Sequence, residues 1–414
     1  MTKFYRSTLL VAALMTAGTA FSQTQQVPSG DGFNCSHQVV MEQLFHEHPE
    51  MKADYEAQQK VRDEIAKKLY ENRNDKNEQV YIIPVVFHIV HAGGSENISD
   101  AQVQNAIDVM NQEFRKTNPA AANIDPYFAS RAADSKIEFR LATIDPQGNC
   151  TNGINRYFDS RTEGADDAIK NGRQWPTNKY LNVYTVRTIG SGAAGYAYYP
   201  ANNNQARDGI VILHSYVGNI GTGSPGRQSA FTHEAGHYLN LAHTWGNSNT
   251  PGAANNCGSD DGVTDTPLCA GSSVCNLNLN TCNDGTANDE KDNIQNFMEY
   301  AYCYAMYTEG QKARMRAALT STAGGRNNLW SEANLAATGS NYTSAPVNLC
   351  KADFAPSTNK PICQGNTVSF TDYSYNNVSS WSWSFPGGTP STSTERNPTV
   401  TYNTPGTYDV TLTV

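Results

Sequence analysis

The sequence predicts a mixed α/β (α+β) domain with a twisted sheet over residues 79–330, followed by a small all-β sandwich over residues 349–414. In the first region, strand-like apolar runs alternate with helix-like stretches, which is typical of a mixed sheet covered by helices. In the second, apolar residues alternate with polar ones between turns such as PGGTP and NTPGT. A chain of 414 residues is long enough for one substantial core and a second module. Residues 331–348, rich in Ser, Ala and Asn, are predicted to link the two.

Two N-terminal segments are expected to lie outside these domains. Residues 1–22 combine basic residues, a short apolar run and small residues at the end, which is typical of a signal peptide. Residues 23–78 are polar, with a charged, helix-favouring stretch at 52–74, and are predicted to be a pro-segment. No other stretch approaches the length of a membrane helix, so the mature protein is expected to be secreted. A net charge of −9 and a pI near 5.5 argue against a nucleic-acid partner.

The larger domain contains several elements that the residue pattern predicts individually. Ser99–Arg115 is predicted to be a helix, because its apolar residues fall on one stripe and Ser99 with Gln102 matches a capping box. Runs of β-branched and aromatic residues predict four strands, at Tyr81–His91, Ile137–Ile144, Leu181–Val186 and Gly209–Leu213.

The segment HEAGHYLNLAH, from His233 to His243, is typical of an open zinc site. On a helix, His233 and His237 lie one turn apart on the same face, and Glu234 is too close in sequence to join them as a ligand. Asn240, which readily adopts a left-handed conformation, is predicted to end the helix and bring His243 to the other two histidines. Three imidazoles would leave a fourth zinc position for water, with Glu234 beside it as the base.

This segment resembles the zinc signature of the metzincin metallopeptidases, and AFTHEAGHYLNLAHTWG is most similar to the pappalysin and cytophagalysin branch. A second segment, DNIQNFMEY, resembles the Met-turn of the same family. The resemblance implies that Met298 lies beneath the zinc and that Tyr300 stabilises the oxyanion. It also implies that Gly192–Tyr199 is an edge strand that pairs with extended substrate, although an ordinary surface hairpin fits the glycines and tyrosines equally well.

The nine cysteines fit an oxidising compartment. Five of them crowd between the zinc helix and the region just after the Met-turn: Cys257, Cys269, Cys275, Cys282 and Cys303. Because their spacing lacks CxxC pairs, disulfides are favoured over a zinc ribbon. The resemblance suggests the pairs Cys257 with Cys282 and Cys275 with Cys303. Two further pairs are expected, Cys350 with Cys363 inside the tail and, as the remainder, Cys150 with Cys269.

Cys35 is the odd cysteine, and it lies in the predicted pro-segment. The stretch FNCSHQVVMEQLFHEHPE resembles pro-segments of the same branch, in which a cysteine thiolate occupies the water position of the zinc and keeps the zymogen silent. The alternative is a free thiol without a role. None of the histidines in the pro-segment, His37, His46 and His48, is assigned any chemistry, and His88, His91 and His214 are expected to be structural.

The loop CGSDDGVTDTP offers oxygen ligands to a hard cation. Asp260, Asp261, Asp265 and Thr266 suit calcium, but their spacing is not that of an EF-hand. Related peptidases bind calcium in this region, so the resemblance favours the ion over an acidic, solvated turn.

The tail resembles a PKD domain, an immunoglobulin-like module of secreted bacterial hydrolases, through WSWSFPGGTPS and YNTPGTYDVTLTV. Ser384 and Pro386 stand near the usual acidic residue of its WDFGDG loop, which puts a ligand role of that loop in doubt. The expected task is spacing, or attachment to a surface or polysaccharide.

The sequence therefore predicts a secreted, pro-segment-controlled zinc endopeptidase, of bacterial origin, acting on proteins or peptides. One alternative is an adhesive protein in which zinc is structural and the PKD-like domain is the working module; a second is a zinc hydrolase of non-peptide amides. Glu234 and the pro-segment cysteine favour the peptidase, because a structural zinc site needs neither. Some family members carry acidic residues just after the Met-turn, where this chain has Tyr302, Cys303 and Tyr304, so a preference for basic substrate residues is not expected.

Overall fold

The computed structural model describes residues 33–75, 78–283, 289–342, 350–358, 360–375 and 378–414. The predicted signal peptide, residues 1–22, lies outside the described residues. Within the described part of the chain, no helix is both long and apolar enough to cross a membrane.

The larger part of the chain is a mixed α/β structure, as the sequence predicts. Its helices are α1 His37–Glu47, α2 Pro49–Glu71, α3 Asp100–Phe114, α4 Ser229–Tyr238, α5 Glu309–Thr320, α6 Arg326–Leu329 and α7 Glu332–Ala337. Its strands are β1 Tyr81–His91, β2 Ile137–Leu141, β3 Ile154–Phe158, β4 Leu181–Val186, β5 Gly195–Ala197 and β6 Ile210–Leu213. Short 3₁₀ turns cover Pro119–Asn123, Ser160–Thr162, Asp167–Lys170, His214–Tyr216, Ala254–Gly258 and Ala323–Gly325.

Six strands form one sheet in the order β2-β1-β4-β6-β5, with β3 pairing the second half of β1. All pairs are parallel except β5 with β6. β1 has a strand on each side, and several of its side chains belong to the largest hydrophobic core cluster. It is therefore buried along most of its length, which explains why most of its residues are apolar. β5, the short strand inside Gly192–Tyr199, is at the sheet edge and confirms the strand interpretation of that run.

The predicted pro-segment forms a helical hairpin on this domain. Buried side chains of α1 and α2 pack against an aromatic surface that includes Tyr196 and Tyr199. The side chain of Arg62 donates to the Pro200 carbonyl at 3.2 Å, and Asp63 forms a 2.9 Å ion pair with Arg314 of α5. The segment is therefore held along its length and not only near Cys35.

Part of the predicted linker is folded against the larger domain. Residues Glu332–Ala337 form α7, with Ser331 capping its first turn through a bond from Asn334. Beyond it, the guanidinium of Arg140 donates to the Ser340 and Tyr342 carbonyls. A Ser/Ala/Asn composition fits a linker, but tertiary hydrogen bonds and the burial of Leu335 order this one up to residue 342. Residues 343–348 lie outside the described residues.

The tail consists of two small antiparallel sheets, ordered β10-β12-β8-β7 and β11-β9-β13. They enclose a core of Val368, Phe370, Trp383, Phe385 and Val400. The strands are β7 Phe354–Pro356, β8 Thr367–Asp372, β9 Ser382–Ser384, β10 Gly388–Thr389, β11 Thr392–Ser393, β12 Thr399–Tyr402 and β13 Thr411–Thr413. The tail contacts the larger domain through Tyr373, which accepts from Asn97 at 2.7 Å and lies 4.2 Å from the guanidinium of Arg156.

Two of the four expected disulfides are present, Cys257–Cys282 and Cys275–Cys303. The other two pairings are wrong: Cys350 bonds to Cys150 across 200 residues, leaving Cys363 exposed and Cys269 buried as free thiols. The reason is geometric, because the first strand of the tail begins beside the Ile144–Cys150 hairpin of the larger domain, a proximity that residue spacing does not encode. This third bridge joins the two domains instead of stapling the tail.

Candidate active site

The zinc motif begins on α4 and continues through a sharp turn. The helix ends after Tyr238, and Asn240 has a positive φ of 76°, which confirms the predicted left-handed turn. Its carbonyl accepts from the Arg314 guanidinium at 2.9 Å, and the Leu241 amide returns to the Gly236 carbonyl at 2.9 Å. The turn carries His243 to the other two histidines.

The three histidines are oriented by main-chain carbonyls. His233 Nδ1 donates to Phe297 O at 2.8 Å, His237 Nδ1 to Leu241 O at 2.7 Å, and His243 Nδ1 to Ser248 O at 3.0 Å. Because a carbonyl can only accept, each Nδ1 carries the proton and each Nε2 presents a lone pair. Burial lowers the pKa of all three imidazoles, that of His233 to about 3, so they are neutral ligands.

These lone pairs and the thiol of Cys35 converge on one buried point. Cys35, His233, His237 and His243 offer ligand atoms that all lie within 4.8 Å of one another. The Nε2 atoms of His233 and His237 face each other at 3.1 Å without a proton to share, and the buried Nε2 of His243 has no hydrogen-bond partner. Two buried lone pairs held this close repel each other unless a cation binds both of them. The set therefore fits zinc, and it is the zinc-binding histidine triad typical of metzincins.

Glu234 lies beside this cluster and is fully buried. The Cys35 thiol donates to its Oε2 at 3.4 Å, and burial raises the pKa of its carboxyl to about 8. The edge strand passes directly over it, since a Cβ placed on Gly195 would lie 2.8 Å from Oε1. Glycine at 195 is what lets β5 and the carboxylate approach this closely.

The residues that resemble a Met-turn pack against the zinc helix and the histidines. The Met298 sulfur packs against Gly236, at a distance that leaves no room for a Cβ there. Phe297 supplies the carbonyl that orients His233. The Tyr300 ring lies 5.1 Å from that of His243, and its hydroxyl donates to the Cys35 carbonyl at 3.0 Å.

The pro-segment crosses the site in an extended conformation along β5. Asn34 O accepts from Ala194 N at 2.7 Å, and Ser36 N donates to Gly195 O at 3.0 Å, so Cys35 pairs with Gly195 in a parallel bridge. This main-chain pairing brings the Cys35 thiol to the three histidines. This arrangement therefore argues against the alternative in which Cys35 is a free thiol without a role.

Two pro-segment residues at the site were missed by the sequence reasoning. His37, to which no chemistry was assigned, stacks on His237 with ring centres 4.0 Å apart and donates from Nδ1 to Ala197 O at 2.6 Å. Phe33 meets His233 edge-on at 4.7 Å. The signal for Phe33 was available, because a residue two before Cys35 shares its face on an extended chain. His37 is the first residue of α1, and its place beside His237 depends on how that helix begins.

The aspartates predicted to bind calcium have hydrogen-bonding roles within the loop. Asp265 accepts from Thr308 Oγ1 at 2.6 Å and from Gly310 N at 2.9 Å, which caps α5. Asp261 accepts from Val263 N and Thr266 Oγ1, and Asp260 from Gly262 N. Within the described ranges, the Cys35 group is the one cluster of three or more metal-ligating His, Cys, Asp or Glu side chains. Calcium therefore stays a prediction.

Comparisons with known proteins agree with this geometry. The sequence model of the peptidase M43 family, described as pregnancy-associated plasma protein-A, matches residues 163–320, and that of the PKD domain matches residues 351–414. An extracellular metalloprotease of Verticillium alfalfae is 32% identical over 251 residues, which are 56% of this chain and 74% of the relative. Because fungal relatives match, a bacterial origin of this chain stays a prediction.

Two structures from Tannerella forsythia are similar to the chain. Mature mirolysin in complex with a cleaved peptide is 32% identical, with a TM-score of 0.54 over 63% of this chain and 99% of that one. A promirolysin mutant is 31% identical, with a TM-score of 0.59 over 72% of this chain and 97% of that one. The chain thus belongs to the M43, or pappalysin-like, family of metzincin metallopeptidases, and is an extracellular zinc metalloendopeptidase made as a zymogen.

Proposed function

We propose that the described chain is the latent form of this peptidase, with Cys35 as the fourth zinc ligand and Glu234 as the general base. The observation that carries the proposal is the convergence of one thiol and three proton-free imidazole nitrogens within 4.8 Å, all buried. One sulfur and three nitrogens would fill the four positions that zinc commonly offers in proteins and would leave none for a catalytic water. Latency follows from that occupancy, and activity requires Cys35 to leave.

Zinc held by His233, His237 and His243 would supply a Lewis acid and a water of near-neutral pKa. Once Cys35 has left, the Glu234 carboxylate accepts the proton of the attacking water at an oxygen and returns it to the leaving amine. In the latent chain this carboxyl is buried between the Cys35 thiol and Gly195, so departure of Cys35 opens it to the water on which it acts.

Tyr300 is proposed to stabilise the oxyanion. Its hydroxyl donates to the Cys35 carbonyl at 3.0 Å and accepts from the Cys35 amide at 3.1 Å in the latent chain. In the latent chain, the Cys35 carbonyl therefore occupies the hydroxyl of Tyr300, which would donate to the substrate carbonyl in the active enzyme. A single donor of this kind is typically worth a few kcal/mol in the transition state.

Replacement of the proposed base tests these roles. Glu234→Gln in the processed chain should retain one zinc per molecule and lose nearly all hydrolysis of denatured protein. Glu163→Gln, on the surface and 49% exposed, is the matched control and should keep full activity. Substantial hydrolysis by Glu234→Gln would refute Glu234 as the base, and loss of zinc would instead indicate a structural role.

Calcium and the PKD domain complete the proposal. If calcium binds at Asp260 and Asp261, addition of the ion to the zinc-loaded chain should raise its Tm, and Asp260→Asn should remove this response.

For the PKD domain we propose spacing or attachment. Removal of residues 350–414 together with Cys150→Ser should then leave peptide turnover unchanged and abolish retention on insoluble polysaccharide. Retention unaffected by the truncation would contradict attachment. The adhesive alternative, by contrast, gives no reason for a buried Glu234 beside the histidines.

A further inference from the structure

The pro-segment residue Phe33 fills a specific place beside the zinc cluster. On an extended chain, side chains two residues apart point to the same face, so Phe33 and Cys35 both enter the cleft. The Phe33 ring meets the Tyr300 ring edge-on at 5.3 Å and lies 6.2 Å from that of Tyr216. The His233 ring lies 4.7 Å from the Phe33 ring, so three aromatic rings contact Phe33.

This place belongs to the cleft that a substrate would occupy. The pro-segment pairs with Ala194 and Gly195 at the free edge of the sheet, and an extended peptide bound by strand addition would use the same main-chain groups. A side chain of that peptide close to the scissile bond then enters the space that Phe33 leaves. We call the space between His233, Tyr216 and Tyr300 the Phe33 pocket.

We propose that the Phe33 pocket makes this enzyme selective for a large aromatic or aliphatic side chain near the scissile bond. The inference rests on the proposed function, because it assumes that substrate replaces the pro-segment along β5. Aromatic walls favour an aromatic or aliphatic group through buried apolar area and edge-to-face contact. One of the three rings, Tyr216, already carries the Arg227 guanidinium 5.1 Å from its centre, so this ring has a cation beside it before any substrate binds.

The nearby carboxyl of Glu113 does not provide a counter-charge for a basic substrate residue. It lines a cavity of about 380 Å³ at the start of α4, together with Ser229 and Tyr304. Glu113 is 3% exposed, and its two oxygens already accept from the hydroxyls of Ser229 and Thr232. Its burial and these two bonds leave the carboxyl little accessible to a basic substrate side chain.

Hydrolysis of a matched peptide series by the processed chain tests the selectivity. The peptides differ at one position next to the scissile bond, scanned on both sides, with Phe, Leu, Ala or Arg. We expect kcat/KM for Phe and Leu to exceed that for Ala and Arg by about tenfold or more at one of the scanned positions. Equal rates at every position, or a preference for Arg, would overturn the proposal. If no peptide and no denatured protein were cleaved in a chelator-sensitive manner, the proposed function itself would fail.

A second measurement avoids any change to the enzyme. The synthetic peptide of residues 33–37, FNCSH, should inhibit the processed chain, and Phe33→Ala or Phe33→Arg in the peptide should weaken inhibition by about tenfold, while Phe33→Leu should change it little. Asn34→Ala is the matched control, because its side chain points away from the pocket on an extended chain. Equal inhibition by the parent peptide and its Phe33→Arg variant would overturn the proposal, whereas loss of inhibition with Phe33→Ala and not with Asn34→Ala supports it.

Discussion

The carboxyl of Glu113 beneath the zinc helix should make the stability of the protein depend on pH. Glu113 accepts from Ser229 and Thr232 in the first turn of α4, and burial raises its pKa from 4.5 to about 7. The folded chain therefore binds this proton more tightly than the unfolded chain does. Between pH 4.5 and 7 the folded state holds more protons, so its stability falls as the pH rises.

The two pKa values set the size of the effect. A pKa near 7 in the folded chain, against 4.5 for a free glutamate, corresponds to about 3 kcal/mol of lost stability once the pH is above 7. Below pH 4.5 the loss is absent, because Glu113 is protonated in both states. Glu113→Gln mimics the protonated form at every pH, so we expect it to equal the parent at pH 4.5 and to be about 3 kcal/mol more stable at pH 8.

Urea unfolding of the variant and its parent at both pH values measures this difference. Both chains carry Glu234→Gln, which prevents self-digestion and cancels in the comparison. Glu163→Gln is the control for a surface carboxylate and should give no difference that depends on pH. If Glu113→Gln were less stable than its parent at pH 8, the bonds from Ser229 and Thr232 to the carboxylate would outweigh its desolvation, and the reasoning would be refuted.

Three further predictions concern the latch, the floor of the site and the domain bridge. The uncleaved Cys35→Ala chain should hydrolyse a short peptide about tenfold faster than the uncleaved parent, because the fourth zinc position becomes open to water, and equal rates would contradict the latch. Gly236→Ala should lower the free energy of unfolding by about 1–3 kcal/mol, because the added Cβ would overlap the Met298 sulfur. Adding Met298→Ala should restore part of this loss, and a Tm unchanged by Gly236→Ala would count against the contact. Peptide mapping without reduction should recover Cys150 linked to Cys350, and a Cys350–Cys363 link would disprove the bridge.

The zinc site was predictable from sequence because its determinants are local. The spacing of His233 and His237 on a helix, and a turn residue at Asn240, fix their relation within eleven residues. The same holds for β1 and β4, whose observed bounds equal the predicted ones, since both are rich in β-branched and aromatic residues. The helix at 100–114 was predicted to within one residue at each end, and Ser99 caps it by accepting from the Gln102 amide.

Other features depend on long-range contacts that the residue pattern does not contain. β3 has no buried face, and it exists because it pairs with the second half of β1. The Gln102 side chain does not return to Ser99 as a capping box requires, because its Oε1 accepts from the amide and the hydroxyl of Thr222 instead. The bond between Cys150 and Cys350 likewise depends on how the tail packs against the larger domain.

The proposed latency rests on two separate sets of contacts, and both must be undone. Cys35 is held by main-chain bonds to β5 and by Tyr300, while α2 is held separately by the Asp63–Arg314 ion pair and by Arg62. Arg314 also donates to the carbonyl of Asn240, so the residue that anchors the pro-segment helix also supports the turn of the zinc motif. Cutting the chain after α2 would leave both sets of contacts in place. Activation therefore requires the severed segment to dissociate, and its affinity, rather than the cut alone, should set the rate at which activity appears.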